Sequence, residues 1–325
     1  MPKILHTYRY TGRPWKILQS VVPEGYTIKT LDEPTYEQLL KEVVDADYLL
    51  VSGRLPIDKG VLDAAKNLKM IQRTGVGTEM LDKEEIKRRG IPVYVNAGVN
   101  ARSVAEHTLA LILACLKRIP QIDKQVRNGI WKKQETGTSC HEIYGKKVGL
   151  VGMGAIGKQV SKYLNAFGAK ILYTDLFQLP TEQEEKLSAT YIPSLEELLP
   201  QVDILSLHCP LTADNKDLIN KNTLSLMKND AIIINTARGK LIDETDLYHA
   251  LVNRNIRAAG LDVHYAEPIH VENHLLSTLE NVILTPHIGG LSFETFYTMM
   301  KEAIDNIVTY DKGGIDLVES KKLHL

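Results

Sequence analysis

From Lys147 onward, short apolar stretches recur along the chain: KVGLVG, AKILYTD, VDILSLHCP, DAIIINTARG, RAAGLDV and NVILTPH. Each is rich in Val, Ile and Leu with few polar interruptions, as expected of strands covered on both faces of a parallel sheet. Helical patterns separate them, over 155–167, 194–199, 221–227 and 243–252. Two of these open on cap signatures, Ser194 with Glu197 and Asp243 with Asp246. Such alternation restricts the fold to a doubly wound α/β sheet with right-handed crossovers.

The first hundred residues repeat the alternation more loosely. ADYLLVSG, LKMIQRTG and IPVYVNAG read as strands, with helices over 35–44, 59–65 and 83–89, so a second, smaller α/β unit is expected. The run SVAEHTLALILACLK (103–117) is a helix that carries the chain across, and a further helix over 292–312 is expected to return to the first unit.

GLVGMGAIGKQV places G-x-G-x-x-G between a strand and a helix. Gly152 permits the tight turn, Gly154 lets the backbone approach a pyrophosphate, and Gly157 allows close helix–strand packing. The helix N-terminus then offers unpaired N–H groups to the diphosphate. A lone glycine motif is weak. Here Asp175 ends the next strand, eighteen residues past Gly157, where a carboxylate binds ribose hydroxyls and repels a 2′-phosphate. No arginine follows in LFQLP, so NAD is expected rather than NADP.

Arg238, Glu267 and His287 lie in INTARGKLID, LDVHYAEP and ILTPHIGG, each in a turn-flanked stretch. A guanidinium suits bidentate capture of a carboxylate. An imidazole moves a proton, and an adjacent carboxylate stabilises its charged form and raises its pKa. Each residue also has an ordinary reading in isolation: a surface arginine, a solvated acid before Pro268, a structural histidine. Together with a nucleotide that carries hydride, the three point to an oxidoreductase acting on a small carboxylic acid.

Composition narrows the partners. A formal net charge of -1 over 325 residues gives no basic footprint for nucleic acid or an anionic membrane. The three cysteines, Cys115, Cys140 and Cys209, show neither CxxC spacing nor a disulfide framework, so no metal is expected and a reducing compartment is. The longest apolar run, 109–116, is too short for a bilayer, and the N-terminus lacks a signal pattern, so the protein is expected to be cytoplasmic.

SVAEHTLALILA, GLVGMGAIGKQV, LHCPLT, INTARGKLID, LDVHYAEP and ILTPHIGG resemble the D-isomer-specific 2-hydroxyacid dehydrogenase family, over most of the chain. The resemblance implies a Rossmann-type NAD-binding domain over 100–289 and a flavodoxin-like α/β substrate-binding domain from 1–99 and 290–325. The active site would lie in the cleft between them. It implies that Arg238 binds the substrate carboxylate, His287 is the acid/base and Glu267 is its partner. Cofactor contacts fall on Gly152, Gly154, Ala155, Ile156, Gly157, Asp175, Cys209, Pro210, Thr236, Ala237, Asp262, His287 and Gly289, with Asp262 near the nicotinamide amide. It further implies a homodimer formed through the 103–117 helix and the arm after it.

RTGVGTEMLD is similar to the phosphoglycerate and hydroxypyruvate dehydrogenase branch, and its backbone at Val76 and Gly77 would meet the substrate carboxylate. Arg54, in VSGR, is either a second cation for a distal anionic group or a solvated loop arginine. Asn215 departs from the family's threonine in PLTxxT. The sequence ends soon after the 292–312 helix, which is expected to leave out the regulatory domain of longer relatives.

Glutamate at 267 argues against formate dehydrogenases, which carry glutamine there. Val76 argues against phosphite dehydrogenases, which carry lysine. TPHIGG in place of TPHIA disfavours the D-lactate branch. An NAD(H)-sensing corepressor of the same fold is the reading from another class, and turnover of 2-keto acids with NADH separates the two.

Overall fold

A computed structural model describes residues 1–323 apart from Val76, and their contacts divide the chain into two units, Met1–Asn100 with Ser292–Leu325, and Ala101–Leu291. Among the described residues, no helix is long and apolar enough to cross a membrane.

In the first unit, strands β1 (Lys3–His6), β2 (Thr27–Thr30), β3 (Tyr48–Val51), β4 (Met70–Arg73) and β5 (Val93–Tyr94) form a parallel sheet. Its order, β2-β1-β3-β4-β5, is the flavodoxin-like arrangement. Successive side chains alternate between two cores, as the strand period requires. Leu5, Leu49, Val51, Ile71 and Val93 meet Leu39, Val61, Leu62 and Ile86 from the helices Tyr36–Glu42, Lys59–Ala64 and Lys83–Arg88. Ile4, Tyr48, Leu50, Met70 and Tyr94 meet Leu18 of helix Gly12–Val21 and Met300, Ile304 and Ile307 of helix Phe293–Asp311.

Helix Phe293–Asp311 thus covers a sheet made by the first hundred residues. A buried polar chain fastens it there. Gln72 Nε2 donates to Asn96 Oδ1 at 2.9 Å, Asn96 Nδ2 to the Met299 carbonyl at 2.8 Å, and Asn306 Nδ2 to Gln72 Oε1 at 3.2 Å. Lys321 Nζ closes the set on Asn306 Oδ1.

In the second unit, β6 (Lys147–Val151), β7 (Lys170–Thr174), β8 (Ala189–Tyr191), β9 (Ile204–Leu207), β10 (Ile232–Asn235), β11 (Ala258–Leu261) and β12 (Val282–Leu284) are all parallel. Their order is β12-β11-β10-β9-β6-β7-β8. The direction of winding reverses between β6 and β9, the point where doubly wound sheets hold ligands beyond their carboxyl ends. The helix Ala101–Lys117 packs Leu111, Ile112, Cys115 and Leu116 into the core on one face of this sheet.

Several details differ from the sequence reading. KILH and TIKT are strands although neither carries a long apolar run. IPVYVNAG contributes only Val93–Tyr94. The helix expected over 221–227 stops at Leu224, where the Ser225 hydroxyl folds back onto the Asn222 carbonyl at 2.6 Å. Helices Ile119–Arg127, Lys133–Gly137 and Thr181–Leu187 bury no residue; the first carries Ile119, Ile122 and Val126 at helical spacing on an outward stripe, and the other two carry no apolar period.

Candidate active site

The glycine loop leaves β6 at Gly152, whose φ of +98° only glycine adopts readily. A Cβ there would meet the Cys209 nitrogen at 2.7 Å, and one on Gly157 would meet the Gly152 carbonyl oxygen at 2.2 Å. Helix Ala155–Ala166 therefore sits tight against the turn. Gly154 caps that helix with no side chain, and a Cβ on it would meet nothing within 4 Å. The first-turn N–H groups at Ala155 and Ile156 have no intrahelical acceptor, which suits a diphosphate approaching an uncovered backbone.

Asp175 stands just past β7. Its Oδ2 accepts from the Met153 N–H at 2.6 Å and its Oδ1 from the Leu176 N–H at 2.7 Å. Two backbone donors thus aim the carboxylate and leave lone pairs for ribose hydroxyls. Cys209 and Pro210 follow β9. Asn215 closes their turn, accepting from the Thr212 N–H at 2.7 Å and donating to the Pro210 carbonyl at 2.8 Å. Burial pushes the Cys209 thiol up to about 11, so it is no nucleophile near neutrality.

The catalytic candidates leave three adjacent strands. Arg238 lies three residues past the end of β10, Glu267 six past β11 and His287 three past β12. The arginine's turn is locked by Asn235, whose Oδ1 accepts from the Ala237 N–H at 3.0 Å and whose Nδ2 donates to the Arg238 carbonyl at 2.9 Å. Gly239 then passes so close to the exit of β11 that a Cβ would come within 1.9 Å of the His264 carbonyl oxygen. Only glycine lets these two loops touch.

His287 adopts φ of +57°, in the left-handed region. Its N–H donates to the Asp262 carbonyl at 2.7 Å, and its Nδ1 lies 2.7 Å from Glu267 Oε2. Because an ionised carboxylate only accepts, Nδ1 carries a hydrogen and Nε2 is left to exchange a proton. The two side chains are 46% and 33% exposed, so the pair faces an accessible surface rather than the core. Burial pushes the Glu267 carboxyl up, but the His287 hydrogen bond and charge and the His264 N–H draw it net below its ordinary value.

Asp262, expected beside the nicotinamide amide, is 1% exposed and collects four internal donors. Thr285 Oγ1 reaches Oδ1 at 2.6 Å, the Ile288 N–H reaches it at 3.0 Å, and His107 Nε2 lies 3.3 Å away. The Gly289 N–H meets Oδ2 at 2.8 Å. Burial opposes its ionisation, but these bonds hold its carboxyl well below the carboxylate range. A Cβ on Gly289 would crowd Oδ2 at 2.9 Å. Asp262 is the post on which the His287 turn hangs.

Sequence reading missed the supports on helix Ala101–Lys117. Ser103 Oγ donates to the Gly289 carbonyl at 2.7 Å, and His107 Nε2 lies 2.9 Å from Thr285 Oγ1. Thr108 Oγ1 lies 2.9 Å from Thr236 Oγ1, beside Ala237. Positions 103 and 107, one turn apart, share a helical face, and Thr108 stands a further step of about 100° round the helix. That spacing was the available signal.

In the first unit, exposed Arg54 stacks its guanidinium over the Tyr8 ring at 5.0 Å. Gly77 presents its carbonyl to Arg73 Nε at 2.6 Å, while Arg73 Nη1 donates to the Val51 carbonyl at 2.8 Å. Val76 lies outside the described residues.

A doubly wound nucleotide-binding sheet, with a carboxylate-bonded imidazole and an arginine beyond adjacent strand ends, defines an NAD-linked oxidoreductase. Residues 109–289 match the family model for the D-isomer specific 2-hydroxyacid dehydrogenase NAD binding domain. The chain is 37% identical over 284 residues to the glyoxylate reductase of Korarchaeum cryptofilum, covering 87% of this chain and 85% of that protein. It is 37% identical over 273 residues to the hydroxypyruvate reductase of Thermotoga maritima, covering 83% and 87%. The structure of Aquifex aeolicus D-lactate dehydrogenase with NAD and lactic acid superposes with a TM-score of 0.87, at 26% identity, over 99% of this chain and 98% of that one. The chain belongs to the D-isomer specific 2-hydroxyacid dehydrogenase family, as an NAD-dependent enzyme interconverting 2-keto and 2-hydroxy acids.

Proposed function

We propose that the chain reduces a short 2-oxo acid, glyoxylate to glycolate or hydroxypyruvate to D-glycerate, with His287 as the acid. The observation that carries the reading is the 2.7 Å contact between His287 Nδ1 and Glu267 Oε2, which commits Nε2 to proton exchange. NADH, when bound, supplies the hydride. Arg238 holds the substrate carboxylate as a planar fork, and protonated His287 delivers a proton from Nε2 to the keto oxygen. Glu267 balances the imidazolium charge until the proton leaves. In the reverse direction neutral His287 takes the hydroxyl proton.

The cofactor is received by Gly152, Gly154, Ala155, Ile156 and Gly157 at the diphosphate and by Asp175 at the ribose. Cys209, Pro210, Thr236, Ala237 and Gly289 line its path, supported from behind by Asp262. Arg54, Val76 and Gly77 are proposed as substrate contacts, and the unit that carries them as the substrate-binding domain. The likeness to a glyoxylate and a hydroxypyruvate reductase supports the short substrate, and TPHIGG disfavours pyruvate.

A homodimer in the cytoplasm, with no nucleic-acid partner, completes the proposal. Ile119, Val126, Ile130 and Trp131 are exposed apolar residues after the crossing helix, an arm suited to a second copy. Sedimentation at micromolar concentration is expected to give twice the chain mass, and a monomer would sink that part. NADH oxidation across glyoxylate, hydroxypyruvate, pyruvate and bulkier 2-keto acids tests the rest. The first two are expected to have the highest kcat/KM, and preference for a branched acid would overturn the substrate assignment.

A further inference from the structure

Glu244, His264 and His274 bring a carboxylate oxygen and two imidazole nitrogens within 4.8 Å of one another, inside the Ala101–Leu291 unit. Each is held by a different element. Glu244 begins helix Glu244–Val252, and its Oε1 accepts from the Tyr265 N–H at 2.9 Å, which leaves Oε2 3.7 Å from His274 Nε2. His264 follows β11 and is 7% exposed. Its Nε2 lies 2.9 Å from the Thr285 carbonyl oxygen. A carbonyl only accepts, so Nε2 carries the hydrogen and Nδ1 presents a bare lone pair.

That Nδ1 is buried without a hydrogen-bond partner, and so are both ring nitrogens of His274. The two rings stand at 88° with centroids 5.8 Å apart, so they do not stack. Leaving a buried acceptor unsatisfied forfeits the hydrogen bonds that water would have supplied. Unpaired imidazole nitrogens converging beside a carboxylate are the arrangement an ion would satisfy.

We propose that Glu244, His264 and His274 bind one divalent transition-metal ion of the zinc class. Two neutral imidazoles and one carboxylate form a borderline-soft donor set that suits zinc, with a fourth position for water. The Thr285 carbonyl on the far nitrogen of His264 is the outer partner that ligating histidines have, fixing ring orientation and tautomer. Around a tetrahedral zinc, with bonds of about 2.0–2.1 Å, ligand atoms lie roughly 3.3 Å apart. The Glu244–His274 approach of 3.7 Å is already near that value, and side-chain rotation closes the remainder.

The ion would tie both ends of the 264–274 loop to helix Glu244–Val252. This loop carries Glu267, whose Oε1 accepts from the His264 N–H at 3.1 Å. The metal is thus a clamp on the loop and takes no part in proton or hydride transfer.

Tag-free, chelator-stripped protein titrated with Co²⁺ alone tests the site. Saturation at one ion per chain is expected, with visible d–d absorption that Zn²⁺ abolishes. His274→Ala and Glu244→Gln are each expected to weaken Co²⁺ binding about 100-fold or more, with far-ultraviolet circular dichroism unchanged. Glu244→Gln retains an acceptor for the Tyr265 N–H and carries the test if His274→Ala does not fold. Absence of saturable Co²⁺ binding, or parent-like binding in folded variants, would overturn the proposal.

Discussion

The backbone of Gly239 runs so close to His264 that a Cβ on residue 239 would fall 1.9 Å from the His264 carbonyl oxygen. Residue 239 follows the arginine proposed to hold the substrate carboxylate, and His264 begins the loop that carries Glu267. One backbone contact therefore sets the spacing of two functional groups.

Gly239→Ala must push these loops apart. Overpacking of this kind costs about 1–3 kcal/mol, and calorimetry is expected to show a lower melting temperature. KM for the 2-keto acid should rise as kcat falls, because both the arginine and the glutamate loops shift. Parent-like melting and kinetics would refute the coupling.

His287→Ala is expected to lose roughly 10²–10⁴-fold in kcat with NADH affinity retained. Glu267→Gln should lose less, since an amide oxygen still accepts from Nδ1, but its pH profile should move. The Glu267 carboxyl is held below its ordinary value, so its contribution is complete above the unfolded carboxylate range. It is lost as pH falls through the lower, folded value. Melting temperatures from pH 7 down to about pH 2 check this, and a pH-independent difference between parent and Glu267→Gln would contradict it.

Asp262→Asn places an amide among four donors and is expected to destabilise the unit by about 1–3 kcal/mol. The native carboxyl is held well below the usual range by those donors. Its stabilisation is therefore present above an unfolded pKa of about 3.9 and fades as pH falls further. The difference in melting temperature between parent and Asp262→Asn should be large at pH 7 and shrink in acid. A constant difference across that span would rule out the linkage.

Asp175→Ala removes the acceptor for ribose hydroxyls and the repulsion of a 2′-phosphate. Losing a charge-assisted bond of about 1.5–3 kcal/mol is expected to raise KM for NADH roughly 10- to 100-fold and to admit NADPH. Unaltered discrimination between the two cofactors would remove Asp175 from that role.

What the sequence made legible was what periodicity and turn chemistry encode. Six strands of the larger sheet announced themselves through near-continuous Val, Ile and Leu, and the glycine loop through its place between strand and helix, whereas β8, ATY, carried no such run. β2, TIKT, alternates exposed and half-buried residues and bore no such mark. The polar face of helix Ala101–Lys117 was hidden by its apolar neighbours. Ser103, His107 and Thr108 read as ordinary helix residues until three strand ends arrived beside them. His264 and His274 are ten residues apart, a spacing no local ligand motif encodes, and Glu244 joins them only through the fold. The close neighbour that requires glycine at 239 lies in another loop, at His264, where no local pattern points to it.

The buried chain from Gln72 through Asn96 to Asn306 and Lys321 has a consequence for the order of synthesis. The Ala101–Leu291 unit is contiguous, whereas the other is assembled from segments on either side of it. Helix Phe293–Asp311 leaves the ribosome only after the whole middle unit. Arrested nascent chains exposing residues 1–291 are therefore expected to resist protease over 101–291 while 1–100 is still cut, and early protection of 1–100 would argue otherwise. One face of the first sheet, covered until then only by helix Gly12–Val21, waits for helix Phe293–Asp311 to be translated.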